Sequence, residues 1–208
     1  MSASKLSLFN GALRIIGERS LLSLSENREP RRRLDTAWDG GALKYCLEAG
    51  LWNFAMRTGE LTYAPSITPD FGMAYAFTKP DDYVRTAGVW SDEYLKAPLI
   101  DYRDEANTWF SDIDTIYISY VSNDAQYGAD FSLWPETFTK FVEAHLASEI
   151  AMAITQNRGK FEDAIAIRKA ALKDAQAKDA MAQPTSFPPS GSWSRSRMNG
   201  QRTNWGRR

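Results

Sequence analysis

The chain has 208 residues, 43% of them hydrophobic and 12% aromatic, which suits one globular domain with an appendage and excludes wholesale disorder. Its 25 basic and 26 acidic side chains nearly cancel, yet five arginines and no acid lie between Pro184 and the end, leaving a body of 20 basic against 26 acidic residues and a net charge of about −6. Cys46 is the only cysteine, so no intrachain disulfide can form and a reducing compartment fits. No run approaches the roughly 20 apolar residues of a membrane span. The opening MSASKLSLFNGALRIIGERS lacks the basic n-region and unbroken apolar stretch of a signal peptide. The expectation is a soluble protein made in the cytoplasm.

Leu6, Phe9, Leu13 and Ile16 recur at three- and four-residue steps and predict an amphipathic helix ended by Gly17. Pro30, suited to a first helical position, predicts a second helix with Leu34, Trp38, Ala42, Tyr45, Ala49 and Trp52 on its buried face. Gly40-Gly41 weakens that helix by roughly 1 kcal/mol per glycine and points to a close crossing or a bend. From residue 57 to 122, Tyr, Thr, Val, Ile and Trp become common, and Pro65, Pro69, Pro80 and Pro98 punctuate the stretch. Short strands are predicted at 57–63, 74–77, 83–89, 93–96, 107–110 and 115–121, forming a small antiparallel sheet of hairpins. In the clearest of them, Ile116, Ile118 and Tyr120 alternate with Tyr117, Ser119 and Val121.

Helices return after Trp134-Pro135. Phe138, Phe141, Val142, Leu146, Ile150 and Ile154 form one stripe, with Gly159 as its stop. Phe161, Ile165, Leu172 and many alanines predict a fourth helix to about Met181, closed by Pro184 and supported by the Asp174–Lys178 spacing. The order predicts an α+β fold: a bundle of about four helices from 1–56 and 123–183, an inserted antiparallel β-sheet over 57–122, and an extended C-terminal arm over 184–208. No internal repeat is present. The arm is rich in Pro, Gly, Ser and Arg, a composition that does not fold alone. Phe187, Trp193 and Trp205 are its candidate anchors, and Arg195, Arg197, Arg202, Arg207 and Arg208 its candidate contacts to carboxylates.

The chemistry-bearing residues exclude more than they suggest. His145 is the only histidine, and a metal site built on it would have only Cys46 as a further soft ligand. It is expected as a helix-face imidazole with Glu149 one turn away. No G-x-S-x-G elbow or Cys-His signature accompanies it, and no phosphate-binding glycine loop occurs. No enzyme, cofactor or metal is therefore expected. Asp81, Asp82, Asp92, Glu93, Asp101, Asp104, Glu105, Asp112, Asp114, Asp124 and Asp130 crowd the sheet region and are expected as a solvated acidic face. Were the protein a ring, such acids at a channel rim would repel duplex DNA and keep it sliding. Arg28, Arg31, Arg32 and Arg33 cluster at the second helix's first turn, where the dipole disfavours cations. They read either as a solvated face or as a docking surface for an acidic partner or phosphate.

In succession, several segments resemble one family. Ala12-Leu-Arg-Ile-Ile-Gly-Glu with the Leu-Leu-Ser-Leu loop resembles the opening of the head-to-tail adaptors of short-tailed bacteriophages, which include tail tubular protein A. Cys46-Leu-Glu-Ala-Gly-Leu-Trp-Asn-Phe-Ala is similar to that family's helix running into a Gly-x-Trp-x-Phe turn. Tyr75-Ala-Phe-Thr-Lys-Pro-Asp-Asp-Tyr-Val-Arg resembles its entry into a strand, Ile113 to Val121 its hydrophobic strand, and Phe138 to Ile154 its penultimate helix. The likeness runs from Leu6 to Ala182 and leaves the arm unmatched. It implies a virion structural protein at the head–tail junction, a ring, typically dodecameric, beneath the portal protein. Such a ring joins the portal to the tail nozzle protein and continues the channel through which genomic DNA passes. Subunit packing and portal contact would fall to the helices, and the sheet would face the tail. On this reading the arm, with Arg31, Arg32 and Arg33, docks on the portal or on a neighbouring subunit. The alternative from the residues themselves is a nucleic-acid-binding protein that uses the Arg/Trp arm.

Overall fold

In the computed structural model, which describes residues 4–69 and 71–182, the chain opens on α1 (Lys5–Ile16). Ser4 and Ser7 cap it reciprocally, each hydroxyl accepting from the other's backbone N–H, at 3.2 Å and 2.8 Å. Leu8, Phe9, Ala12, Leu13 and Ile16 are buried along one face. Gly17 stops the helix at φ 72°, a left-handed conformation that costs glycine nothing. Asn10 then pins the returning loop, accepting from the Leu21 N–H at 2.7 Å and donating to its carbonyl at 3.1 Å. Leu21 is thereby buried, and Leu22 stays 80% exposed.

The predicted second helix is three pieces. α2 (Glu29–Ala37) passes through a kinked turn, Trp38–Ala42, into α3 (Leu43–Glu48). Gly41 sits inside that turn at φ 97°. A left-handed residue between two helical segments redirects the second one, and the predicted buried face breaks there. Leu34 and Ala42 are buried, Trp38 and Ala49 are partly buried, and Tyr45 turns outward to 50% exposure. Trp52 is buried, but from the loop after the helix. The two glycines should therefore respond oppositely to alanine. Gly40→Ala meets nothing within 4 Å and should stabilise by about 0.5–1 kcal/mol. Gly41→Ala forces a Cβ into the left-handed region and should cost about 1–2 kcal/mol. Urea midpoints of the two variants check this.

α4 (Glu136–Thr155) and α5 (Arg158–Ala182) form a long hairpin. α4 ends at Gln156, φ 49°, and not at Gly159, which lies in the first turn of α5. The break falls there because the Asn157 side chain accepts the Lys160 N–H at 3.2 Å and so restarts the helix. Lys160 also donates through Nζ to the Ile16 carbonyl at 2.9 Å, closing the end of α1. The helices share one core, including Phe9, Leu13, Leu34, Leu47, Trp52, Phe138, Phe141 and Leu146.

Between the helix groups lie two three-stranded antiparallel sheets where one was predicted. The first has the order β1 (Met56–Thr62), β6 (Thr115–Ser122), β3 (Tyr83–Trp90), and the second β2 (Tyr75–Thr78), β5 (Thr108–Ser111), β4 (Tyr102–Glu105). β6 explains the doubling, because both of its faces need cover. Ile116, Ile118 and Tyr120 pack with Phe77 of β2 and Trp109 of β5, while Val121, with Val84 of β3, joins the helical core. β6 runs against β1 in unbroken register from Met56↔Val121 to Thr62↔Thr115, whereas β3 slips twice. The predicted strand at 93–96 is instead a turn, folded around Asp92, whose carboxylate accepts the N–H groups of Lys96 and Ala97 at 3.0 and 2.8 Å. β4 escaped the sequence reading because Tyr-Arg-Asp-Glu holds no β-branched residue.

Candidate functional site

The arginine cluster at α2 is mostly engaged within the fold. Arg31 pairs with Asp35 at 2.7 Å, and Asp35 also takes Lys5 of α1 at 3.0 Å. Arg33 pairs with Glu29 at 3.3 Å, one turn back. Arg28 donates to the carbonyls of Arg19 and Ser20, holding the loop that carries Leu22. These acids offset the unfavourable dipole end. Arg32 is exposed, and among the described residues its side chain has no ion pair, so Arg32 and the half-exposed Arg33 are the cations left to meet a partner. Phe187, Trp193, Arg195, Arg197, Arg202, Trp205, Arg207 and Arg208 lie outside the described residues.

The acidic sheet region is not one solvated face. Asp82 is a joint. It takes the Arg57 guanidinium at 2.9 Å, the Tyr120 hydroxyl at 3.1 Å and the Ser122 hydroxyl, and so ties β1 and β6 to the entry of β3. Burial alone would raise its pKa, but the hydrogen bonds from Ser122, Arg57 and Tyr120 outweigh it and hold the carboxyl below the usual carboxylate range. Burial and the Asp82 charge together push Tyr120 up to about 12. Because the folded Asp82 holds its proton less tightly than the unfolded one, its stabilisation is present above the ordinary carboxylate value of about 3.9. That stabilisation is lost as pH falls through the depressed folded value. Asp82→Asn should therefore flatten the acid limb of the stability curve, read as urea midpoints from about pH 7 down to about pH 3.

A second joint, missed from sequence, clasps the two sheets together. Lys79, after β2, is only 6% exposed. Its ammonium meets the Asp104 carboxylate of β4, the Ala106 carbonyl at 3.0 Å, and the ring faces of Tyr83 and Trp109 at 4.6 and 5.3 Å. Asp104 also accepts from Thr86 of β3 at 2.8 Å and from Trp109 Nε1 of β5 at 3.1 Å. Burial would raise Asp104, yet the bonds from Lys79, Thr86 and Trp109 hold it low. A sequence signal was there: a lysine between two aromatic strands, with an acid at the adjacent hairpin. Asp124 and Asp130 accept the N–H groups two residues on and shape their loops, and Asp112 accepts the N–H of Ala74 just before β2. Asp81, Asp101, Glu105 and Asp114 are exposed.

Large apolar side chains remain uncovered in both parts of the fold. Phe71, Ile100 and Tyr94 on the β loops are 83%, 84% and 70% exposed, and Leu22 on the helical side is 80% exposed. Phe71 borders a concavity of about 350 Å³ that it shares with Ile67, Met73, Phe110, Arg103 and Glu105. Sequence reasoning did not single these out, because an apolar loop residue looks the same whether its neighbours cover it or not.

Among the described residues no group of three or more His, Cys, Asp or Glu is arranged to hold a metal ion. No helix among them is long and apolar enough to cross a membrane. The Cys46 thiol is fully buried, and that burial pushes its pKa up, away from the reactive thiolate. Comparison with known protein families finds none that matches the chain, and no curated protein matches it either.

Proposed function

We propose that the protein is a head-to-tail adaptor subunit of a short-tailed bacteriophage, a virion structural protein and not an enzyme. It forms a ring beneath the portal, joins it to the tail nozzle, and continues the channel for genome retention and ejection. The observation that supports this reading is that large apolar side chains are exposed on both parts of the fold. Leu22 projects from a loop pinned to the helical core by Asn10, and Phe71, Ile100 and Tyr94 project from the loops of the sheets. A subunit that closes a ring between two partners needs unlike contact surfaces on its two parts. The residues that carry the family resemblance also fall at the fold's joints: Gly17 ends α1, Trp52 seals the helical core, and Asp82 ties the first sheet.

Negative-stain electron microscopy of the protein alone and mixed with the portal of the same phage tests this. The expected image is a ring of added mass under the portal, lost in a Leu22→Asp variant that stays folded. A chain that ignores the portal would overturn the proposal. Salt-dependent DNA binding by residues 184–208 would then favour the nucleic-acid-binding alternative.

A further inference from the structure

A concavity of about 880 Å³ opens between α1, the start of α4 and the loop that precedes it. Its size falls within the roughly 300–1,000 Å³ of ligand clefts, so it takes a segment of chain and not one side chain. Of the charged residues that line it, Glu18, Glu136 and Glu143 are acids and Arg14 is the one cation. Phe131 and Trp134, packed edge to face at 4.8 Å, line it as well.

None of the three acids is strongly paired within the described fold. Glu143 lies deepest: its side chain is 13% exposed and rests where Gly11 leaves room, since a Cβ on that glycine would lie 2.0 Å from the carboxyl carbon. Its ion-pair partner Arg14 is 76% exposed and stands off at 3.4 Å. Burial raises the Glu143 pKa by more than Arg14 lowers it, so the charge is left under-compensated. Glu136 reaches Lys140 only at 3.8 Å with both side chains exposed, a pair that contributes little. Glu18 makes no ion pair among the described residues.

The chain itself carries the complementary segment. Residues 184–208 hold five arginines and no acid, with Trp193 and Trp205 set among them. α4 and α5 form an antiparallel hairpin, so α5 finishes at the Glu136 end of α4, beside the loop whose Phe131 and Trp134 line the concavity. Roughly 36 Å of extended chain separates Ala182 from Trp193, about twice the length of α1. We propose that in the free subunit residues 193–208 dock back into this concavity of their own chain. The arginines meet Glu18, Glu136 and Glu143, and the tryptophans lie against Phe131 and Trp134. A tether this short holds the segment at an effective concentration in the millimolar range. The same acids disfavour a nucleic acid there, because they repel its phosphates. The contact stands apart from the adaptor reading, since a chain that ignores the portal still carries both the concavity and the arm.

The test uses the full chain with a photo-crosslinking side chain, p-benzoylphenylalanine, in place of Trp193 or, separately, Trp205. Dilute protein is illuminated, and the adducts are sized on a denaturing gel and mapped by mass spectrometry. The expected product is a one-chain adduct joining the arm to residues 4–20 or 131–143. Its yield should fall about fivefold in Glu18→Gln/Glu136→Gln, neither of which is buried. It should fall as far in Arg195→Gln/Arg197→Gln/Arg202→Gln, which leaves the body of the protein untouched, and also as salt is raised. Far-UV circular dichroism reports that the variants stay folded. A two-chain adduct would assign the arm to a second copy and overturn the proposal. Adducts outside those segments, no adduct, or a yield unchanged in the arginine variant would overturn it as well.

Discussion

Asp104→Ala should cost about 3 kcal/mol of folding stability, although the residue it removes lies at the rim of the sheets. The cost arises at Lys79, whose side chain is only 4% exposed and would keep its charge without a counter-ion. The Thr86 hydroxyl and the Trp109 indole N–H lose an acceptor as well. The sign of the controls separates this account from simple packing loss. Lys79→Met keeps the volume between Tyr83 and Trp109 and removes the charge, so it should be nearly neutral. The double variant should be more stable than Asp104→Ala alone, because the stranded ammonium is gone. Urea unfolding followed by tryptophan fluorescence measures all three. A loss below about 1 kcal/mol for Asp104→Ala would mean that water, and not Asp104, satisfies Lys79.

Trp52→Ala should cost about 4 kcal/mol, a large share of the roughly 5–15 kcal/mol that holds a typical domain together. Trp52 is 1% exposed, folds back over Gly50, and packs edge-on to Phe138 at 4.9 Å, with Phe141 at 6.3 Å. Its Nε1 donates to the Cys46 carbonyl at 2.9 Å, satisfying the end of α3. Trp52→Phe keeps most of the packing and strands that carbonyl, so about 1–2 kcal/mol is expected. Comparable losses for the two variants would show that the hydrogen bond, and not the indole's volume, secures the turn.

Much of the fold is legible in the residues because local periodicity and local chemistry agree with it. The three- and four-residue steps of α1 hold along its buried face, and β6 is a strand as its alternation predicts, although it is buried on both faces from Ile118 onward. The stops are less legible where a side chain overrules a glycine. Gln156, not Gly159, ends α4, because Asn157 can cap α5. The turn at 93–96 was hidden because the Asp92 carboxylate competes for backbone N–H groups that a strand would have used.

The sequence by itself determined the helix–sheet–helix order, the acidic body with its arginine arm, and the apolar stripes of α1 and α4. Only the tertiary structure decided which polar groups leave water. Asp82 and Asp104 read as two acids among eleven, yet each accepts from three side chains drawn from more than one strand. His145 read as a helix-face imidazole, yet it is buried under Tyr45 of α3, the helix that follows the kink at Gly41. The physical reason is range. Periodicity is a property of neighbours along one element, whereas the convergence of charges is set by register and crossing between elements far apart in the chain.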